Sequence, residues 1–207
     1  FMRWVATRDA RGDVPECIEN MIAAVKLAGF DLIIIETPGI GQGDTGIVPL
    51  VDISLYVMTP EYGAASQLEK IDMLDYADLV VINKFDRRGA DDAYRDVQKQ
   101  VQRNRQDFAT SVEEMPVYGT VASRFSDDGV TSLYHDLAER LQQHGLALQQ
   151  GTLTRTDLRT SSKGQAIVPP ERVRYLAEIA ETVRTYRDDA EQQAQTAREL
   201  QQLEQSR

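Results

Sequence analysis

The stretch from residue 31 to residue 43, DLIIIETPGIGQG, decides how the rest of the chain is interpreted. Residues 32–35 form an apolar run that is too short for a helix and is typical of a strand covered on both faces of a parallel sheet. Glu36 ends the run, and Thr37 and the glycines that follow interrupt regular structure. Ligands of open α/β sheets bind beyond the carboxyl ends of the strands, so the sequence predicts Glu36 beside a metal-bound phosphate. A glycine-rich connection capped by a solvated glutamate is the alternative.

A second short apolar run, residues 79–82, ends in the motif Asn83, Lys84, Phe85 and Asp86. A carboxylate accepts two parallel N–H bonds, which suits the ring N–H and the exocyclic amine that guanine presents side by side. The Asn83 amide can fix the loop and touch the purine, and the Lys84 stem can lie across the base plane. An ordinary strand-to-turn sequence would look the same, but both motifs in this order favour a guanine nucleotide site.

Composition narrows the possible functions. The 207 residues suffice for one domain with a core, and the net charge of −10 argues against a nucleic-acid partner because no surface is dense in Lys and Arg. A single cysteine excludes an internal disulfide framework. The sequence has no membrane span and no signal peptide, so we expect a cytoplasmic protein without a membrane partner.

The order of apolar patterns predicts an α/β fold with a mostly parallel sheet. Further strands are expected over residues 53–58 and 117–122, and helices over residues 63–74, 90–108 and 130–141. Residues 145–168 have the composition of a linker, and Pro169 opens a further helix. The predicted organisation is a domain over residues 1–144, a linker over 145–168 and a helical arm over 169–207. The strand-like residues 1–6 indicate a domain that is truncated at its N-terminus.

The residues from Glu36 to Gln42, ETPGIGQ, together with Asn83–Asp86, resemble the GTPases that chaperone adenosylcobalamin-dependent acyl-CoA mutases. Some members carry the cobalamin-binding domain, the GTPase and the mutase domain on one polypeptide. The segments NKFDRRGA and PPERVRYLAEIAETVR also resemble the sequences of this family, so the resemblance covers most of the chain. It implies a P-loop GTPase fold that hydrolyses GTP to gate cobalamin loading and to protect the mutase.

The resemblance also implies the site residues. Glu36 and Thr37 would bind Mg²⁺, with Glu36 as the catalytic residue acting through the metal or through water placement. Asn83, Lys84, Phe85 and Asp86 would hold the guanine, with Ala122 and Ser123 nearby. The implied partners are a guanine nucleotide and the cobalamin-binding and mutase domains of the same polypeptide, and the full-length protein is expected to be a homodimer. Adenosylcobalamin would bind outside this chain.

One departure from the family pattern is that the sequence contains no G-x-x-x-x-G-K-[ST] phosphate loop. In the resembled family this loop lies upstream, so we expect the chain to be the C-terminal part of the GTPase domain followed by the linker. Two other functions stay open. A non-catalytic, GTPase-like interaction module would share the motifs, and a nickel or cobalt metallochaperone GTPase would add clusters of Cys and His, of which this chain has one and two.

Overall fold

The computed structural model describes residues 5, 14–15, 17–37, 45–149, 151–162 and 174–205, and it divides into two compact units, Phe1–Gly164 and Gln165–Arg207. The first unit contains all the strands of the described residues, and the second contains one long helix. The strands are β1 (Leu55–Met58), β2 (Leu79–Asn83) and β3 (Val117–Thr120), and the helices are α1 (Ile18–Leu27), α2 (Ala65–Leu68), α3 (Met73–Tyr76), α4 (Ala90–Arg105), α5 (Asp128–Gln143) and α6 (Tyr175–Gln205).

The sheet is parallel, in the order β1-β2-β3, as the sequence predicted. Leu55 lies opposite Leu79 in the first pair of strands, and Asn83 lies opposite Thr120 in the second pair. Parallel neighbours require crossover connections, and here helices provide them. Because all three strands run in the same direction, the segments that follow Met58, Asn83 and Thr120 emerge at one edge of the sheet.

The alternation of side chains along β2 builds a core on each face of the sheet. Val80 and Ile82 pack with Val97 and Val101 of α4 on one face. On the other face, Leu79 and Val81 pack with Tyr118 of β3 and with Leu133 and Leu137 of α5. The central strand is therefore buried on both sides, which explains its continuous apolar sequence.

Some predicted elements differ from the observed ones. The single helix expected over residues 63–74 is two short helices, α2 and α3, because Leu68, Ile71, Met73 and Leu74 are all buried and no straight helix presents all four on one face. The helix predicted over residues 90–108 ends at Arg105, so Phe108 lies beyond it and is 71% exposed.

The strand predicted over residues 32–35 is wrong within the described residues. This stretch carries no strand assignment, and Ile34 is 82% exposed. A strand requires a neighbour to pair with its N–H and C=O groups, and none of the three observed strands lies beside it. Residues 1–6, apart from Val5, lie outside the described residues.

The last segment of the first unit extends the sheet. Thr160 forms an isolated parallel bridge with Gly119 of β3, and the N–H of Gly119 donates to the carbonyl of Arg159 at 2.9 Å. These residues fall within the predicted linker, but they are held by the domain. In the second unit α6 is 31 residues long, and no helix of the described residues has the length and apolarity needed to cross a membrane.

Candidate functional site

The predicted base-binding motif lies at the carboxyl end of β2, where it forms a tight turn. Asn83 is the last residue of the strand, and the N–H of Arg87 donates to the carbonyl of Lys84 at 3.0 Å. Lys84 has a φ of 59°, in the left-handed region that long side chains rarely adopt. Backbone conformations of this kind cluster at ligand-binding sites. Lys84 and Asp86 are both exposed, so their side chains are accessible to a ligand.

The end of β3 and the loop that follows it are joined to this turn by three hydrogen bonds. The Asn83 side-chain oxygen accepts from the backbone N–H of Ala122 at 3.1 Å and from the hydroxyl of Thr120 at 3.3 Å. The N–H of Phe85 donates to the carbonyl of Thr120 at 3.0 Å. Asn83 therefore fixes the loop, as the sequence predicted, and it brings Ala122 and the exposed Ser123 beside the motif.

Phe85 anchors the motif from inside the protein. Its ring packs edge-on against Tyr94 with a centroid separation of 5.7 Å. A Cβ built on Gly119 would lie 2.6 Å from the same ring, so only glycine fits under it. A contact between Phe85 and a base would therefore come from its backbone, because the side chain is used for packing.

An ion pair holds the far side of the turn. Arg87, next to Asp86, donates to the carboxylate of Glu61, which follows the carboxyl end of β1. Hydrogen bonds from Thr59, from the backbone of Glu61 itself and from Arg87 lower the pKa of Glu61 to about 2. Glu61 is therefore ionised at neutral pH, but the pair is exposed and adds little to stability.

Asp127 is a buried residue that holds the loop after β3 through hydrogen bonds to the backbone. Asp127 is 3% exposed, and its carboxylate accepts from the N–H of Val121 at 3.2 Å and from the N–H of Val130 at 3.0 Å. The second of these bonds caps the N-terminus of α5. We did not identify this residue from the sequence, although an aspartate directly before a helix is a recognised capping signal.

Glu36 and Thr37, the predicted metal ligands, lie on a separate stretch. Glu36 is exposed and Thr37 is half-buried, and residues 38–44, which hold the rest of the ETPGIGQ motif, fall outside the described residues. We call the turn at Asn83–Asp86 and the loop after β3 the base loops. Within the part of the chain that the structure describes, no hydrogen bond joins Glu36 or Thr37 to the base loops. Among the same residues, no cluster of three His, Cys, Asp or Glu side chains could hold a metal. The metal site stays a prediction.

Comparisons with known proteins point in the same direction as the base loops. The family model described as methylmalonyl-CoA mutase-associated GTPase MeaB matches residues 1–169. The chain is 61% identical over 208 residues to the fused isobutyryl-CoA mutase of Paraburkholderia xenovorans, covering 100% of this chain and 16% of the relative. It is 55% identical to the protein of that name from Nocardia farcinica and 53% identical to the one from Geobacillus kaustophilus, each covering 99% of this chain and 19% of the relative. The chain thus spans less than a fifth of these relatives.

Proposed function

The chain belongs to the MeaB family of mutase-associated GTPases, and we propose that it is the GTPase region of a fused, adenosylcobalamin-dependent acyl-CoA mutase. The observation that carries the proposal is the hydrogen bond from Ala122 to Asn83, which joins the motif Asn83–Asp86 to the loop after β3 at one edge of a parallel sheet. This edge is where α/β folds bind nucleotides. The relatives are much longer than this chain, so the complete polypeptide would be a longer protein that carries this region together with a phosphate loop.

Guanine recognition is assigned to the exposed carboxylate of Asp86. The carboxylate has two oxygens that accept N–H bonds, and guanine presents two adjacent N–H donors on one edge. Adenine has no such pair, so this residue favours GTP over ATP. Lys84, with its left-handed backbone and exposed side chain, lies beside Asp86 and can cover the face of the base. The N–H groups around Ala122 and Ser123 complete the base site.

Glu36 and Thr37 are the proposed ligands of Mg²⁺. Their carboxylate and hydroxyl oxygens are the hard donors that this ion prefers, and the exposed position of Glu36 leaves its oxygens accessible. When bound, Mg²⁺ neutralises charge that develops on the transferred phosphoryl group. Glu36 would orient the ion or a water molecule and would not act as a nucleophile.

The biological role proposed for this GTPase is to gate the loading of adenosylcobalamin and to protect the mutase, as the family resemblance implies. The reaction of the complete polypeptide would be the rearrangement of isobutyryl-CoA to n-butyryl-CoA, and the relatives are named isobutyryl-CoA mutases. Adenosylcobalamin would bind to other domains of that polypeptide, which would form a homodimer.

Nucleotide turnover by the complete polypeptide tests the proposal. We expect Mg²⁺-dependent release of phosphate from GTP and not from ATP, and GTP should change the rate of adenosylcobalamin transfer to the mutase. A non-hydrolysable GTP analogue serves as the control that separates binding from hydrolysis. Binding without turnover would favour the non-catalytic interaction module. Activity that depends on delivery of nickel or cobalt would favour the metallochaperone.

A further inference from the structure

Residues 159–162 contact the loop after β3, which carries Ala122 and Ser123, through the Arg124 guanidinium and the Asp127 carboxylate. The hydroxyl of Ser161 donates to the Asp127 carboxylate, and it accepts from the guanidinium of Arg124 at 3.2 Å. One hydroxyl therefore bridges the carboxylate of Asp127 and the guanidinium of Arg124, which both belong to the loop after β3. We call Arg124, Asp127 and Ser161 the clasp.

Asp127 and Arg124 connect the clasp to the loop that carries Ala122 and Ser123. Asp127 accepts from the N–H of Val121, the residue directly before Ala122. Arg124 follows Ser123, and its guanidinium also donates to the carbonyl of Ser162 at 2.8 Å. The loop that presents Ala122 and Ser123 is thus held at both of its ends by side chains that engage the same serine.

The backbone of the segment is bonded to β3 at the same level. The N–H of Ser161 donates to the carbonyl of Gly119 at 2.8 Å, and Gly119 lies directly under the ring of Phe85. Gly129 of α5 packs closely against this backbone bond. A Cβ built on Gly129 would lie 2.0 Å from the Gly119 carbonyl oxygen and 3.0 Å from the Ser161 nitrogen. A displacement of the segment would therefore disturb Gly119 and the loop that follows it.

Arg159 fixes the beginning of the segment. Its guanidinium donates to the carbonyls of Glu114 at 2.8 Å and Met115 at 2.6 Å, and it lies over the ring of Tyr118 at 5.7 Å. In addition to the backbone bonds to Gly119, side chains hold the docked segment at two points, one at each end of β3. The clasp is the point that touches the base loop, and Arg159 is the point that does not.

We propose that the clasp couples nucleotide binding to the docking of residues 159–162, with Ser161 and Arg124 acting as positioning residues for the backbone N–H of Ala122. This inference rests on the function proposed above. Coupling between two sites is reciprocal, so a docked segment favours the nucleotide and a bound nucleotide favours the docked segment. The state of the base site would therefore be reflected in the docking of residues 159–162.

A pair of adjacent serines gives a matched test in the complete polypeptide. Ser161→Ala removes the bridging hydroxyl, whereas Ser162→Ala removes a hydroxyl that donates to Asp128 and leaves the Ser162 carbonyl in place. We expect Ser161→Ala to weaken GDP binding about tenfold, a typical coupling between sites, and Ser162→Ala to leave it within about twofold, the size of effect expected when no coupled contact is lost. Equal affinities for both variants and the unchanged protein would overturn the coupling.

Amide hydrogen exchange of the unchanged complete polypeptide gives a second test that does not depend on the folding of a variant. We expect GDP to slow exchange at the N–H groups of Gly119 and Ser161, which form the bonds between the segment and β3. The N–H of Val80, which bonds to Pro116 at the far end of the strands, is the internal reference. Unchanged exchange at Gly119 and Ser161 with GDP bound would contradict the coupling while leaving the proposed function intact. Failure to bind any guanine nucleotide would overturn the proposed function and this inference together.

Discussion

The side-chain oxygen of Asn83 accepts the backbone N–H of Ala122 at 3.1 Å, and this bond connects two loops that lie 39 positions apart in the sequence. It is possible because Asn83 and Thr120 are register partners at the ends of parallel strands. A single amide therefore sets the spacing between the two halves of the proposed base site. A substitution of Asn83 alone would therefore disturb both halves of the proposed site.

The first prediction is that Asn83→Ala weakens guanine nucleotide binding and also destabilises the domain. The substitution removes the acceptor of the exposed Ala122 N–H and of the Thr120 hydroxyl, and each lost hydrogen bond is expected to lower the free energy of unfolding by about 0.5–1.5 kcal/mol. GDP titration and urea unfolding of the complete polypeptide measure the two effects. Asn104→Ala on α4, which removes only a helix-surface bond to Gln100, is the control. If both variants bind GDP equally well, Asn83 does not organise the site.

The second prediction is a change of base preference in Asp86→Asn. An amide replaces one acceptor by a donor, so GTP should bind more weakly and a xanthine nucleotide, whose second oxo group replaces the amine of guanine, should bind better. Each mismatched bond is expected to cost about 1–3 kcal/mol. Competition among GTP, XTP and ATP measures the preference, and Asp91→Asn, an exposed aspartate at the start of α4, is the control. An unaltered preference for guanine would remove Asp86 from the site.

Strands β1 and β2 were predictable because each is a short run of apolar residues. Leu55 and Val57 of β1 are exposed, whereas β2 has the pattern of a strand that is covered on both faces of the sheet. Residues 79–82 satisfy this pattern completely, since Leu79, Val80 and Ile82 are fully buried. Residues 32–35 have a similar sequence but no strand assignment. Apolar composition describes what a strand prefers, whereas strand formation depends on a neighbour that supplies hydrogen bonds.

The contacts of Ser161 could not be predicted from the sequence. Ser161 lies 34 positions from Asp127, within a polar stretch whose composition is typical of a linker. Local patterns carry no information about such a distant partner. The Asn83 motif, in contrast, is contiguous in the sequence and needs only the end of one strand to place it, so its position was predicted while the clasp was not.

The third prediction separates the metal from the nucleotide. Glu36→Ala should reduce GTP hydrolysis far more than GDP affinity, because Mg²⁺ matters most where charge develops on the transferred phosphoryl group. Phosphate release and GDP titration of the complete polypeptide give the two values. Asp31→Ala, at the other end of the same apolar run, is a matched control. Equal losses of hydrolysis and affinity in Glu36→Ala would indicate a structural role for the glutamate.

The fourth prediction concerns stability at acidic pH. Burial alone would raise the pKa of Asp136, but the hydrogen bonds that Arg140 and Tyr118 donate lower it below the ordinary value of 3.8. A carboxyl group whose pKa is lower in the folded protein contributes stability that is fully present above its unfolded pKa. That contribution is lost as the pH falls from 3.8 through the folded value.

Asp136→Asn should therefore be less stable than the unchanged protein at neutral pH, and the difference should shrink as the pH falls below 3.8. Urea unfolding at a series of pH values measures this. Asp189→Asn, an exposed aspartate on α6, should give a curve parallel to that of the unchanged chain. A constant difference between Asp136→Asn and the unchanged protein across this range would contradict the assignment.

The last prediction is that the 207-residue chain by itself neither binds GTP tightly nor hydrolyses it. Tight binding of a nucleoside triphosphate depends on backbone N–H groups and a lysine around the phosphates, and the sequence contains no G-x-x-x-x-G-K-[ST] loop. The base site offers a few hydrogen bonds and one stacked side chain, which must offset several kcal/mol for immobilising the nucleotide. Calorimetric titration of GTP with Mg²⁺ into this chain, and then into the complete polypeptide, measures the difference. Micromolar binding by the chain alone would mean that the phosphates are held by residues other than a phosphate loop.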